Sequence, residues 1–133
     1  LMTSGVSAKT VQTPSVGSPE AVVQSALRAA LLDDEKAGFD AYLGLVDPEL
    51  TTTDEAVRQL RSFTWGRFRS QAARYIIQGT SIHFEIMRQD PSRVTPETER
   101  VRLFVKPQTV RGPNRPVRLR RVGGAWLIEA NSL

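Results

Sequence analysis

The chain has 133 residues, 40% hydrophobic and 24% charged, with no cysteine and a formal net charge of +4. That length supports one domain with a real core and is too short for two of ordinary size. The absence of cysteine excludes a disulfide framework and cysteine-based metal sites, leaves cytosol and periplasm equally open, and no apolar run approaches the length of a membrane span.

Residues 1–17 carry Ser, Thr, Gly, Pro and Val with neither a strand nor a helix period, and read as a flexible tether. Leu1 ahead of Met2 reads as a trimmed start, which leaves room for an export signal already removed; what remains looks like neither a signal nor a transit peptide. A single domain is expected over 18–133. Ser18-Pro19-Glu20 is a helix start: serine caps, proline fits the first helical position, and glutamate suits the positive end of the dipole. Val23, Ala26, Leu27, Ala30 and Leu31 form a helical stripe, broken at Asp33-Asp34. A second helix carries Phe39, Tyr42, Leu43 and Val46 and ends at Asp47-Pro48. Thr52 to Glu55 has capping-box spacing, and the third helix carries Val57, Leu60 and Phe63. Gly66 is a stop or a kink, beyond which the pattern can resume from Phe68 to Ala73.

The period then changes to 2. Tyr75 to Met87 reads as a strand, with Ile82, Phe84 and Ile86 alternating with His83 and Glu85, and with a bend at Gly79. A loop from Gln89 to Thr98 precedes a strand from Arg100 to Lys106, where Val101, Leu103 and Val105 alternate with basic residues and Phe104 falls on the basic face. After a second loop, R-P-V-R-L-R-R-V from Arg115 and A-W-L-I from Ala125 flank Gly123-Gly124, a hairpin signature. Helices first and strands afterwards predict an α+β domain with an antiparallel sheet packed on helices.

Charge is divided along the chain. Residues 1–66 hold five Lys/Arg and nine Asp/Glu; residues 67–133 hold thirteen and five, and twelve of those thirteen are arginine. If the strands of Arg100–Lys106 and Arg115–Val122 pair, Arg100, Arg102, Arg118 and Arg120 make one basic stripe, which Arg67, Arg69 and Arg74 would extend. Such a stripe suits an acidic protein partner or an anionic surface, and otherwise is a solvated sheet face. The weak aromatic interleaving, Phe104 alone, argues against nucleic acid.

His83 is the sole histidine, and Glu85 lies two residues on, on the same strand face. The pair suits proton transfer or is a pair of solvated polar residues. A single histidine argues against a first-row metal site. Neither a dinucleotide nor a P-loop glycine pattern occurs, and no cofactor is expected.

The start S-P-E-A-V-V at Ser18–Val23, the break at Asp33-Asp34, the D-P-E at Asp47–Glu49 and the closing V-x-L-x-R-V-G-G-A-W-L-I resemble the nuclear transport factor two-like (SnoaL-like) superfamily over nearly the whole of 18–133. The branch it most resembles is small bacterial proteins, often exported or lipid-anchored. The resemblance implies a cone-shaped, cystatin-like fold whose curved sheet wraps the helices. It implies a periplasmic or membrane-associated exported protein rather than a cytoplasmic one, although the anchoring cysteine is absent. Some members are isomerases, dehydratases or cyclases; others only bind or dimerise. No paired catalytic Asp/His or Asp/Tyr can be carried over. In a cone, Tyr42 and Trp65, and also Tyr75 and Trp126, either line a pocket or pack the core. The expectation is therefore a non-enzymatic binding or assembly module. It would dock through its sheet onto a protein partner or a second copy, as an accessory subunit of a larger complex. The other reading is an isomerase- or cyclase-type enzyme with His83 and Glu85 in the cone.

Overall fold

The structure, a computed structural model, describes residues 8–133. It is an α+β domain in which three helices pack on a five-stranded antiparallel open sheet. Helix α1 spans Pro19–Ala30, and the Ser18 hydroxyl accepts from the Ala21 N–H at 3.2 Å. Its stripe of Val23, Ala26, Leu27 and Ala30 is buried, while Leu31 falls beyond the last turn and is exposed. The guanidinium of Arg69 closes this helix by donating to the carbonyls of Ala30, Leu32 and Asp33, where a helix has unpaired acceptors. Helix α2 spans Glu35–Leu43, and Asp34 caps it by accepting from Lys36 N and Ala37 N. The expected stripe therefore divides: Phe39 and Tyr42 pack from the helix, and Val46 from the extended chain after it.

The third helix is one rod in several pieces: α3 (Asp54–Gln59), a π-helical turn (Leu60–Trp65), α4 (Gly66–Gln71) and a 3-10 turn (Ala72–Tyr75). Its cap is Thr53, whose hydroxyl accepts from Ala56 N, rather than the predicted Thr52; Glu55 turns to Arg58 and Gln59 instead of closing a capping box. Gly66 does not stop the helix, because its N–H still finds the Arg61 and Phe63 carbonyls. The wide turn adds a residue and changes the buried face. Phe63, predicted on the apolar stripe, is left 67% exposed, and Trp65, Phe68 and Ala72 face inward.

The sheet runs β1 (Lys9–Val11), β2 (Phe84–Asp90), β3 (Arg100–Val105), β4 (Arg115–Val122), β5 (Ala125–Asn131), each strand beside the next in sequence. Two sequence expectations are corrected here. The stretch read as a tether contains β1, which pairs Lys9 with Ile86 and Val11 with Phe84 and buries Val11; residues 1–7 lie outside the described ones. The strand read from Tyr75 to Met87 begins at Phe84 and runs on to Asp90. Positive φ at Gly79 (80°) and Ile82 (58°) turns the chain before it. Gln24, buried on α1, holds this corner, its amide donating to the carbonyls of Gln12 at 2.8 Å and Ile82 at 3.1 Å.

One sheet face is apolar and meets the helices: Phe84, Ile86, Val101, Leu103, Val105, Val117, Leu119 and Ile128 are buried with Leu27, Phe68 and Ala72. The closing hairpin turns at Gly123 (φ 57°) and Gly124 (φ 84°), both left-handed, which matches the twist of paired strands. Val46 makes a parallel bridge to Ile128. Asp47 N donates to Ile128 O at 2.8 Å and Ile128 N to Leu45 O at 2.7 Å. That bridge brings Asp47 to the margin of the exposed sheet face.

Candidate functional site: the exposed sheet face

The side chains that alternate with the core positions make the opposite face. The β3–β4 register pairs Arg100 with Arg120 and Arg102 with Arg118, so the four arginines do share one surface. Like charges directly across a ladder repel. Here carboxylates relieve them. Glu129, on β5, accepts from Arg100 Nε at 3.1 Å and lies 3.0 Å from Arg118 Nε. Asp90, on β2, accepts from Arg102 Nη2 at 2.8 Å. Asp47 takes Arg120 in a fork, at 2.6 and 2.9 Å, and Glu49 adds a third bond at 2.7 Å. The Phe104 ring, half-buried on β3, lies under two cations, Arg88 at 4.7 Å and Arg102 at 5.6 Å.

The electrostatics follow from these contacts. The Arg120 fork holds the Asp47 carboxyl below the usual carboxylate range, against the opposing effect of burial, and the Glu49 N–H adds to it. Arg100 in the same way holds Glu129 low. The surface is therefore not a bare cationic stripe but an alternation of both signs around an aromatic centre. Arg67, Arg69 and Arg74 do not extend it. Arg67 donates to the main-chain oxygens of Asn131 and Leu133, Arg69 closes α1, and Arg74 lies on the 3-10 turn after α4.

His83 and Glu85 are not brought together by a hydrogen bond. His83 precedes β2 in the turn, its N–H on the Thr80 hydroxyl, whereas Glu85 accepts from the Gln108 amide at 2.8 Å and faces Lys106 at 4.0 Å. Tyr42 and Trp65 are each 1% exposed and belong to an aromatic cluster with Phe39 and Phe68, with ring centroids 5.0–6.3 Å apart. The Trp65 indole N–H donates to Glu35 at 2.8 Å, and Asn131 Nδ2 donates to the Tyr42 hydroxyl at 3.1 Å. Both polar tips are thus spent on protein partners; burial outweighs that bond and raises the Tyr42 hydroxyl. Tyr42 does reach the floor of an open groove of about 450 Å³ between the third helix and β5, walled by Leu50, Leu60 and Ile128.

Among the described residues no group of three or more His, Cys, Asp or Glu side chains is placed to hold a metal ion, and no helix is long and apolar enough to cross a membrane. The residues that sequence reasoning missed are the acids. Asp47 and Glu49 stand in the D-P-E used there as a helix stop and as part of the resemblance, and they lie 73 and 71 positions from Arg120. Comparison of the chain with protein-family models, curated proteins and solved structures finds no match.

Proposed function

We propose that this chain is a non-enzymatic binding module that pairs with a second copy of itself through the exposed face of β2–β5, as an accessory subunit of a larger assembly. The observation that carries the reading is the charge alternation of that face. Arg100, Arg102, Arg118 and Arg120 each already face Glu129, Asp90, Asp47 or Glu49, with Phe104 among them. A twofold contact presents one patch to itself, so it needs both signs and an apolar anchor on the same patch. A wholly acidic partner would have to displace the carboxylates that the arginines already hold.

Membership of the nuclear transport factor two-like superfamily is part of the proposal. Helices that precede four of the five strands of an antiparallel sheet, and a last hairpin turned at Gly123-Gly124, support it. In that reading the groove over Tyr42 is the mouth of the cone.

Sedimentation equilibrium tests the pairing. The dimer is expected to dissociate when Arg102→Glu and Phe104→Asp are combined, with the melting temperature of the folded monomer nearly kept, because both side chains lie on the outer face. A parent protein that stays monomeric at its highest soluble concentration, or a double variant that dimerises as well as the parent, rejects the pairing.

A further inference from the structure

Arg100, Arg102, Arg118 and Arg120 on the exposed sheet face are matched by acidic side chains; the two arginines at the end of the molecule where β4 begins and β5 finishes meet none among the described residues. A recess of about 290 Å³ there is lined by Arg67, Gln71, Tyr75, Arg115, Asn131 and Ser132. No Asp or Glu side chain among the described residues pairs with Arg67 or Arg115. The Arg67 guanidinium is held instead by backbone oxygens, its Nε on an oxygen of the last residue, Leu133, at 3.1 Å and its Nη2 on Asn131 O, and its Nη1 has no partner among the described residues. Arg115 makes no side-chain hydrogen bond within the described residues and is exposed at the start of β4. Tyr75 is 4% exposed, so its ring is packed, while its hydroxyl makes no hydrogen bond to the described residues and is not a buried unpaired atom, so it faces the open recess. Burial raises that hydroxyl, and the nearby Arg115, Arg67 and Arg74 charges act against the rise; of these, Arg67 and Arg115 line the recess with it.

We propose that this recess binds a phosphoryl group, as a phosphate monoester or a phosphomonoester headgroup. The lining is rich in donors: two guanidiniums, the Tyr75 and Ser132 hydroxyls and the Gln71 amide. Such a set suits a ligand with three or more acceptor oxygens and more than one negative charge. Forked guanidiniums match phosphate oxygens in pairs, and a carboxylate has only two oxygens and one charge to offer. The Asn131 and Leu133 oxygens fix Arg67 in advance, so less rotamer entropy is lost on binding. The volume takes the phosphoryl group and a few attached atoms, leaving the rest of a ligand outside. The site lies at the end of β4, its Arg115 beside the Pro116 that faces Phe104, but it uses none of the side chains of the pairing proposed above and does not depend on it.

The test is calorimetric titration at low ionic strength with inorganic phosphate, glycerol 3-phosphate and acetate, and flotation with vesicles of phosphatidic acid in phosphatidylcholine. Phosphate and glycerol 3-phosphate are expected to bind at least tenfold more tightly than acetate. Arg115→Gln should weaken them tenfold or more, and Tyr75→Phe severalfold. Arg93→Gln, the same charge change in the loop after β2, should leave binding as it was. Binding of the soluble ester without flotation identifies a free phosphate monoester; flotation that Arg115→Gln abolishes identifies a headgroup. Failure of every phosphate probe, equal affinity for acetate, or binding untouched by Arg115→Gln and Tyr75→Phe overturns the site.

Discussion

Asp47 is 2% exposed and charged, which is stable only because every oxygen is used: two bonds from Arg120 and one from the Glu49 N–H. Asp47→Ala would leave Arg120 with Glu49 as its only acidic partner, and a loss of about 2 kcal/mol is expected in urea unfolding. The pH dependence follows. A carboxyl held lower in the folded than in the unfolded chain adds stability that is complete above the unfolded value of about 3.9 and is lost as pH falls through the folded one. Acid melting curves should therefore fall less steeply below about pH 4 in Asp47→Asn than in the parent; parallel curves would show that the pair contributes nothing to the acid transition. Gly38 is a second residue-scale test. A Cβ there would lie 2.6 Å from the Ala29 carbonyl and 3.2 Å from the Trp65 ring, so the glycine lets α2 sit directly on α1. Gly38→Ala gains about 1 kcal/mol of helix propensity. Overpacking of roughly 1–3 kcal/mol outweighs it, and the melting temperature is expected to fall.

At the scale of elements, β1 covers the open edge of β2. It has three residues, but Val11 is 5% exposed and Gln24 binds the carbonyl of the residue that follows the strand. Removal of residues 1–12 should lower stability by about 2 kcal/mol for the lost valine burial. It also bares a row of unpaired backbone groups, so light scattering on heating should rise earlier than in the full chain. Unchanged melting and scattering would mean that the strand is not seated. Helix starts were legible in the sequence where one short polar side chain stood before the first turn, as at Ser18. They were displaced where several stood together: among Thr51, Thr52 and Thr53 the spacing to Glu55 pointed to Thr52, and the third threonine is the cap. The π turn had no local signature. It arises where Trp65 must reach Glu35 on α2 while Phe68 reaches the core, a demand made by packing.

For the whole molecule, the acidic first half and basic second half meet in space. Asp47 and Glu49 come from the acidic half and hold Arg120 of the basic half. The charge surplus left at the strand ends, around Arg67 and Arg115, is visible only after this internal matching is done. The α+β class, the alternation that puts the four arginines on the faces opposite the core residues of their strands and the Gly-Gly hairpin were all determined by the sequence itself, because side-chain period and glycine φ are local properties of a chain; that β3 and β4 pair, and so bring the four together, was settled in space. The carboxylate partners of those arginines, the burial of Tyr42 and Trp65, the separation of His83 from Glu85 and the start of β2 at Phe84 were decided by the tertiary structure. Electrostatic pairing and burial depend on distance in space, and residues 73 apart carry no mark of their meeting until the chain has folded.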